Sequence, residues 1–299
     1  IASTSFEADK KTFKIYDPRP FNISTFYNHV TWRGFVETKI IPKTESVLQI
    51  SQSDIIPRFD YLFNYNNSLY SEFKATMLTA SIQWNPFSKY MQTPNKRIEI
   101  EKKYPRFTFQ YSKTISNLWQ NDFSFGKIDF RFDYQKKFNS NHKLLFLFEG
   151  GYASGDIPIT HVYNHSPNNL NKDKIIQRIT FAGKDSFETM YFNEFFSSRY
   201  VFFQLEHEFP KFEISKRIKP VFSVVTKYGL GSLENANQHL NINYKTLEKG
   251  FLESGFELNQ IYRGLGLVAF YRYGPNQLPS FEDNIAIKLS IKIDLGFNN

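Results

Sequence analysis

From Leu78 to the end of the chain, runs recur in which apolar and polar residues take turns at every second position. Successive side chains of a strand point to opposite faces, so each such run reads as a strand with one apolar and one polar face. The clearest run is 284–297, where Ile285, Ile287, Leu289, Ile291, Ile293, Leu295 and Phe297 alternate with Asn284, Ala286, Lys288, Ser290, Lys292, Asp294 and Gly296. At about 3.3 Å per residue its apolar face is roughly 40 Å long. A tilted strand needs only about 9–11 residues to cross a bilayer, and a strand of a soluble sandwich is usually about half as long as this one.

The same period predicts strands over 78–84, 97–111, 122–135, 142–152, 199–209, 218–228, 250–259 and 263–273. In 122–135, Ile128, Phe130, Phe132 and Tyr134 face one way, and Lys127, Asp129, Arg131 and Asp133 face the other. In 97–111 the apolar set changes parity between Glu101 and Pro105, which predicts a β-bulge. Residues 1–56 are poorly patterned, with extended candidates at 12–16, 30–41 and 47–51; another short one follows at 58–65. Short turns alternate with long loops, the longest being 153–196, rich in Asn, Asp, Gly and Pro. A soluble sandwich has no reason to sort its loops in this way, whereas outer-membrane barrels keep short turns periplasmic and long loops extracellular. The expected fold is therefore all-β: an antiparallel transmembrane β-barrel with about twelve strands visible, whole or the C-terminal part of a larger barrel. A single domain is expected over 1–299, with 153–196 as an extracellular loop or plug.

Composition sharpens this picture. The 33 Phe and 18 Tyr suit strands and interfacial girdles, yet the mean hydropathy is only −0.45. No run approaches the roughly 20 apolar residues of a membrane helix. Alternating strands produce this combination, because every lipid-facing residue is diluted by a lumen-facing one. With no cysteine, neither disulfides nor thiolate metal sites can form. The net charge of +8 is scattered along polar faces and turns rather than gathered in a stripe, so no nucleic-acid partner is expected. The chain opens without a charged n-region or apolar h-region, so a signal peptide was cleaved or this is the C-terminal part of a longer polypeptide.

Four charges of mixed sign on one strand face are costly in a dry core without close pairing. Lys127, Asp129, Arg131 and Asp133, with Glu206 and Glu208, are therefore expected to face a lumen. Glu194 and Arg199 flank the end of the long loop and are expected to form an ion pair that holds a plug. His207 lies between two glutamates, but adjacent strand residues point to opposite faces, so the three do not converge. His161 and His165 have a zinc-like spacing in a loop with no third ligand in recognisable register. There is no phosphate loop, dinucleotide fingerprint or nucleophile elbow, and no motif brings a Ser and a His together. No enzyme, cofactor or metal is predicted. Tyr271, Tyr273 and Phe297 fit an aromatic girdle.

One family resemblance rests on a series of short motifs. They are Tyr104-Pro105-x-Phe107 leading to Tyr111, then Gly150-Gly151-Tyr152-Ala153-Ser154-Gly155-Asp156-Ile157-Pro158 and Phe187-Glu188-Thr189-Met190. Asn193-Glu194-Phe195, Ser198-Arg199-Tyr200-Val201 and Leu205-Glu206-His207-Glu208-Phe209 follow. In order and spacing, residues 72–297 resemble the C-terminal barrel region of a Bacteroidota outer-membrane family of unknown function. Members of that family often carry an N-terminal carboxypeptidase-regulatory-like domain, and their layout is similar to that of barrel-assembly and two-partner-secretion translocators. The Arg-Gly-Phe/Tyr lumen motif of those translocators is not evident; its nearest strings are Gln177-Arg178-Ile179-Thr180-Phe181 and the much earlier Arg33-Gly34-Phe35. The resemblance implies a non-catalytic protein of a Gram-negative outer membrane, a conduit or structural component of an envelope transport or assembly complex. Its partners would be outer-membrane lipid and envelope proteins. The alternative is a secreted or surface-attached soluble β-protein acting as an adhesin or glycan-binding module.

Overall fold

The computed structural model describes residues 27–38, 41–92, 97–115, 118–215 and 218–292. Among the described residues eleven strands build one sheet. They are β1 (Tyr27–Thr38), β2 (Thr44–Pro57), β3 (Phe73–Trp84), β4 (Arg106–Thr114), β5 (Phe125–Lys137) and β6 (Lys143–Gly155). β7 (Arg199–Glu208), β8 (Val221–Ser232), β9 (Phe251–Tyr262), β10 (Leu265–Tyr273) and β11 (Ile285–Ile291) complete it. Each strand pairs antiparallel with the next, so the connections fall alternately at the two ends of the sheet. Among the described residues no ladder joins β1 to β11.

Residue pattern and register together put apolar side chains outside. Leu267 lies opposite Leu289, Phe109 opposite Phe130, and Phe148 opposite Phe203 on the outer face. Leu267 is 49 % exposed there, whereas Lys288 and Arg272 on the inner face are completely buried. In water this arrangement would expose a broad apolar surface and bury charge, the reverse of a soluble domain. A row of outer rings runs from Trp84 through Phe107, Phe132, Phe146 and Phe203 to Tyr228, with centroid separations of 5.1–6.4 Å. Such spacing lies within the range in which aromatic pairs attract beyond simple burial.

Several elements differ from the sequence expectation. β2 is one long strand rather than a short piece at 47–51; its outer face turns polar at Gln52 and Asp54 while its inner face turns apolar at Ile55, so the alternation inverts within it. Leu62–Tyr65 does form a strand, but with Ser68–Tyr70 and His239–Leu240, away from the main sheet. The change of parity in 97–111 is not a bulge. Arg97–Glu101 belongs to a separate hairpin with Lys89–Gln92, and β4 starts afresh at Arg106. The candidate at 12–16 and the end of the last run, Ile293, Leu295 and Phe297 included, lie outside the described residues.

The apolar core lies inside the sheet near the long-connection end. It gathers Tyr61 and Phe63 from the β2–β3 connection, Phe123 from β4–β5, Ile159 and Phe187 from β6–β7, and Leu247 from β8–β9. The expected loop 153–196 is thus largely internal. β6 continues to Gly155, and the connection 156–198 carries two 3-10 turns and two short paired strands, Pro167–Asn169 and Phe187–Tyr191, the first wholly and the second almost wholly buried.

Candidate functional site

The inner face of β8 to β11 and the 156–198 connection meet through a lattice of opposite charges. Glu253 of β9 accepts the backbone N–H groups of Glu188 and Thr189, each at 2.9 Å, and the Thr189 hydroxyl at 2.7 Å. The same carboxylate accepts the Lys227 ammonium at 2.9 Å, and Lys227 also donates to the Ser186 carbonyl at 2.6 Å. Arg272 of β10 donates a two-pronged pair of bonds to Glu194 at 2.8 and 2.9 Å, and Lys288 of β11 lies 3.5 Å from Glu188. On the far wall, Arg131 of β5 holds Asp185 at 2.9 Å together with Glu149 at 2.7 Å and Asp133. The connection supplies the acids Asp185, Glu188 and Glu194, and the wall supplies the bases that meet them. Buried charges need such pairing, because their desolvation is otherwise not offset, although Lys288 Nζ reaches Glu188 without a hydrogen bond. Phe187 adds edge-to-face contacts with Phe202 and Phe251 at 5.0 and 4.8 Å.

Small residues on the wall make room for this segment. A Cβ on Gly229 would lie 2.9 Å from the Phe187 ring, and one on Gly151 would lie 2.6 Å from that of Tyr163. The Gly150-Gly151-Tyr152-Ala153 string therefore places its small residues, Gly151 and Ala153, inward under the connection, with Tyr152 outward.

The same connection reaches the edge of the sheet. Ala182 donates its N–H to the Leu289 carbonyl at 2.7 Å, and the Leu289 N–H donates to the Thr180 carbonyl at 2.8 Å. Phe181 thus makes a parallel bridge to β11 on the side away from β10. Just before it, Arg178 is buried and donates to the Glu282 carbonyl at 2.8 Å and to Asp283 at 3.2 Å. The string 177–181, the nearest to a translocator lumen motif, therefore lies at this edge.

The residues singled out from the sequence fall as follows. Lys127 donates to the His161 carbonyl at 2.9 Å, Asp129 accepts the Tyr163 hydroxyl at 2.6 Å, and Arg131 and Asp133 share the cluster just described. Glu206 is buried on the inner face, 3.3 Å from Lys292, and Glu208 pairs with Lys143 at 2.6 Å. Ile285, Ile287, Leu289 and Ile291 are on the outer face of β11. The Glu194–Arg199 pair does not form. Glu194 points inward to Arg272 and Lys245, whereas Arg199, one residue out of phase with the inward Tyr200, projects outward to Glu234 at 3.5 Å.

His165 and Ser197 do come together, at 2.7 Å, both buried where the connection packs against the wall. His161 instead faces the Phe125 ring. Lys227, Glu253 and Arg272 carry no sequence signal beyond their inward positions on alternating strands, and Lys288 is legible only as a polar-face residue of the last run.

A histidine also fastens the cap over this end. The Tyr61 hydroxyl accepts the Ile159 N–H at 3.0 Å and shares a hydrogen bond with His239 Nδ1 at 2.8 Å, joining three connections. Burial among Tyr61, Phe63 and Tyr244 pushes the His239 imidazole down from 6.5 to about 4, and burial pushes His165 down to about 3. The unfolded chain takes up these protons near 6.5 and the folded one does not, so the contribution to stability is whole above that pH and lost as pH falls toward 4. Proteolytic cleavage within 233–250 is accordingly expected to rise between pH 6.5 and 4, and His239→Gln should flatten that rise. An unchanged profile in the variant would assign the sensitivity elsewhere.

The comparisons agree with this architecture. BamA from Haemophilus ducreyi lacking POTRA domains 1–3 superimposes with a TM-score of 0.52 at 12 % identity, over 87 % of this chain and 53 % of that one. The chain thus spans about half the length of that solved protein, and at this identity the likeness is one of fold. No curated protein matches. Residues 53–230 match the C-terminal domain of the family of unknown function DUF5686, and the chain belongs to that family.

Proposed function

We propose that the chain spans the outer membrane of a Gram-negative bacterium as a β-barrel wall closed internally by its own 156–198 connection. It acts without catalysis, as a conduit or a structural component of an envelope transport or assembly complex. The observation that carries this reading is the inverted distribution of side chains, apolar outside and charged inside, which only a lipid surround makes favourable. The BamA-like fold supports it. In this reading outer-membrane lipid covers the outer face, envelope proteins are the partners, and the carboxypeptidase-regulatory-like domain of the resembled family works beside the barrel.

Reconstitution tests it directly. The chain is expected to float with phosphatidylcholine vesicles, show heat-modifiable mobility on a gel, and conduct poorly while the connection is seated. Monodisperse refolding in buffer without detergent would sink the proposal. Leu267→Arg, on the outer face opposite Leu289, is expected to cost about 2–4 kcal/mol of folding into the bilayer and to reduce the floated fraction. Wild-type insertion by this variant would reverse the assigned facing.

A further inference from the structure

The two ends of the sheet carry opposite charge. In sequence, the five connections at the β1–β2 end (39–43, 85–105, 138–142, 209–220 and 263–264) hold twelve Lys and Arg against three Asp and Glu. The five at the other end (58–72, 115–124, 156–198, 233–250 and 274–284) hold seven against twelve. The acids of the basic end are already matched within it or by the adjoining strand. Glu99 lies 3.0 Å from Arg106, Glu101 lies 2.6 Å from Lys89 and 3.1 Å from Lys103, and Glu213 lies 3.1 Å from Lys219. The acids of this end therefore leave most of its positive charge uncancelled.

The same connections and the strand ends beside them expose large apolar side chains. Phe87, Phe138, Phe212, Ile214 and Tyr262 are each at least 40 % exposed. Cations stand over two of the rings, Lys136 over Phe138 and Arg263 over Tyr262, both at 5.2 Å. Trp84, at the end of β3, leads from this rim into the outer row of rings. Apolar bodies with basic tips suit the boundary between acyl chains and headgroups. The composition recurs at successive turns along the whole sheet instead of forming one patch, which fits a lipid leaflet better than a single protein.

We propose that this rim binds the phosphodiester headgroups of anionic phospholipids in the adjoining leaflet, with Lys136, Lys137, Lys211 and Arg263 as contacts. The inference rests on the membrane-spanning reading and adds to it an orientation and a lipid class. The test reconstitutes the chain in nanodiscs of equal parts phosphatidylcholine and phosphatidylglycerol, then identifies retained lipid by native mass spectrometry. Phosphatidylglycerol is expected to be retained at least ~5-fold over phosphatidylcholine, the effect of about one basic side chain at the surface. The preference should fall as salt is raised and reach parity in K136E/K137E/R263E. Parity in the wild type, indifference to salt, or an undiminished preference in the variant overturns the rim. Should the variant not fold, the wild-type ratio and its salt dependence decide. Failure of the wild type to float with pure phosphatidylcholine vesicles overturns the membrane-spanning reading instead.

Discussion

Glu253→Ala is expected to free the 186–189 stretch from the wall and to lower stability by about 3–5 kcal/mol, the usual cost of removing one partner from a buried charge pair. The side chain is completely buried and gathers four donors: two backbone N–H groups, a hydroxyl and an ammonium. Its loss strands Lys227 and leaves Glu188 and Thr189 with unsatisfied N–H groups. Denaturant unfolding in detergent measures the stability; limited proteolysis within 156–198 and single-channel conductance report whether the connection has left the interior. Glu253→Gln keeps the volume and one acceptor oxygen and should lose less. A stable Glu253→Ala barrel with a protected connection and wild-type conductance would show that the charge lattice does not hold the segment.

Arg131 is the second anchor, and the change there is of the opposite kind. Arg131→Ala removes the cation that three carboxylates share, Glu149, Asp185 and Asp133, of which only Asp185 comes from the connection. A loss of several kcal/mol is expected, about as large as for Glu253→Ala. Asp185→Ala combined with Arg131→Ala isolates the contact made across the interior, because a double-mutant cycle subtracts the effects within the wall. A coupling of about 0.5–3 kcal/mol is expected. Strict additivity would confine the role of Arg131 to its own strand and to β6. Arg131→Lys keeps the charge but not the planar fork, and should restore only part of the stability.

How legible these features were depends on the distance over which each is determined. The strand of Ile128 and Asp129 could be read directly, since a wall with one outer and one inner face writes its pattern into adjacent residues. β2 could not, because its polar and apolar faces exchange as it leaves the apolar zone at Gln52 and approaches the core at Ile55. Leu62–Tyr65 was visible as a strand but not its partner, since His239–Leu240 lies far along the chain. The inward parity of Lys227 and Glu253 was available in the sequence, yet their significance comes from the path of the 156–198 connection, which no local period encodes. The Glu194–Arg199 expectation failed for the complementary reason: neighbours in sequence were sent to opposite sides of the wall once β7 began between them.

The bridge between Phe181 and Leu289 gives this connection a double attachment. A few residues separate the stretch bonded along the rim of β11 from the one locked onto Lys227 and Glu253, with Gly183 between them. Gly183 is itself tied back through its N–H to Glu188 at 3.0 Å, which leaves little slack. Drawing the acidic stretch along the axis therefore pulls on the edge strand as well, and clearing the interior would bare the backbone of β11 in the same stroke. Axial and sideways release share a single degree of freedom.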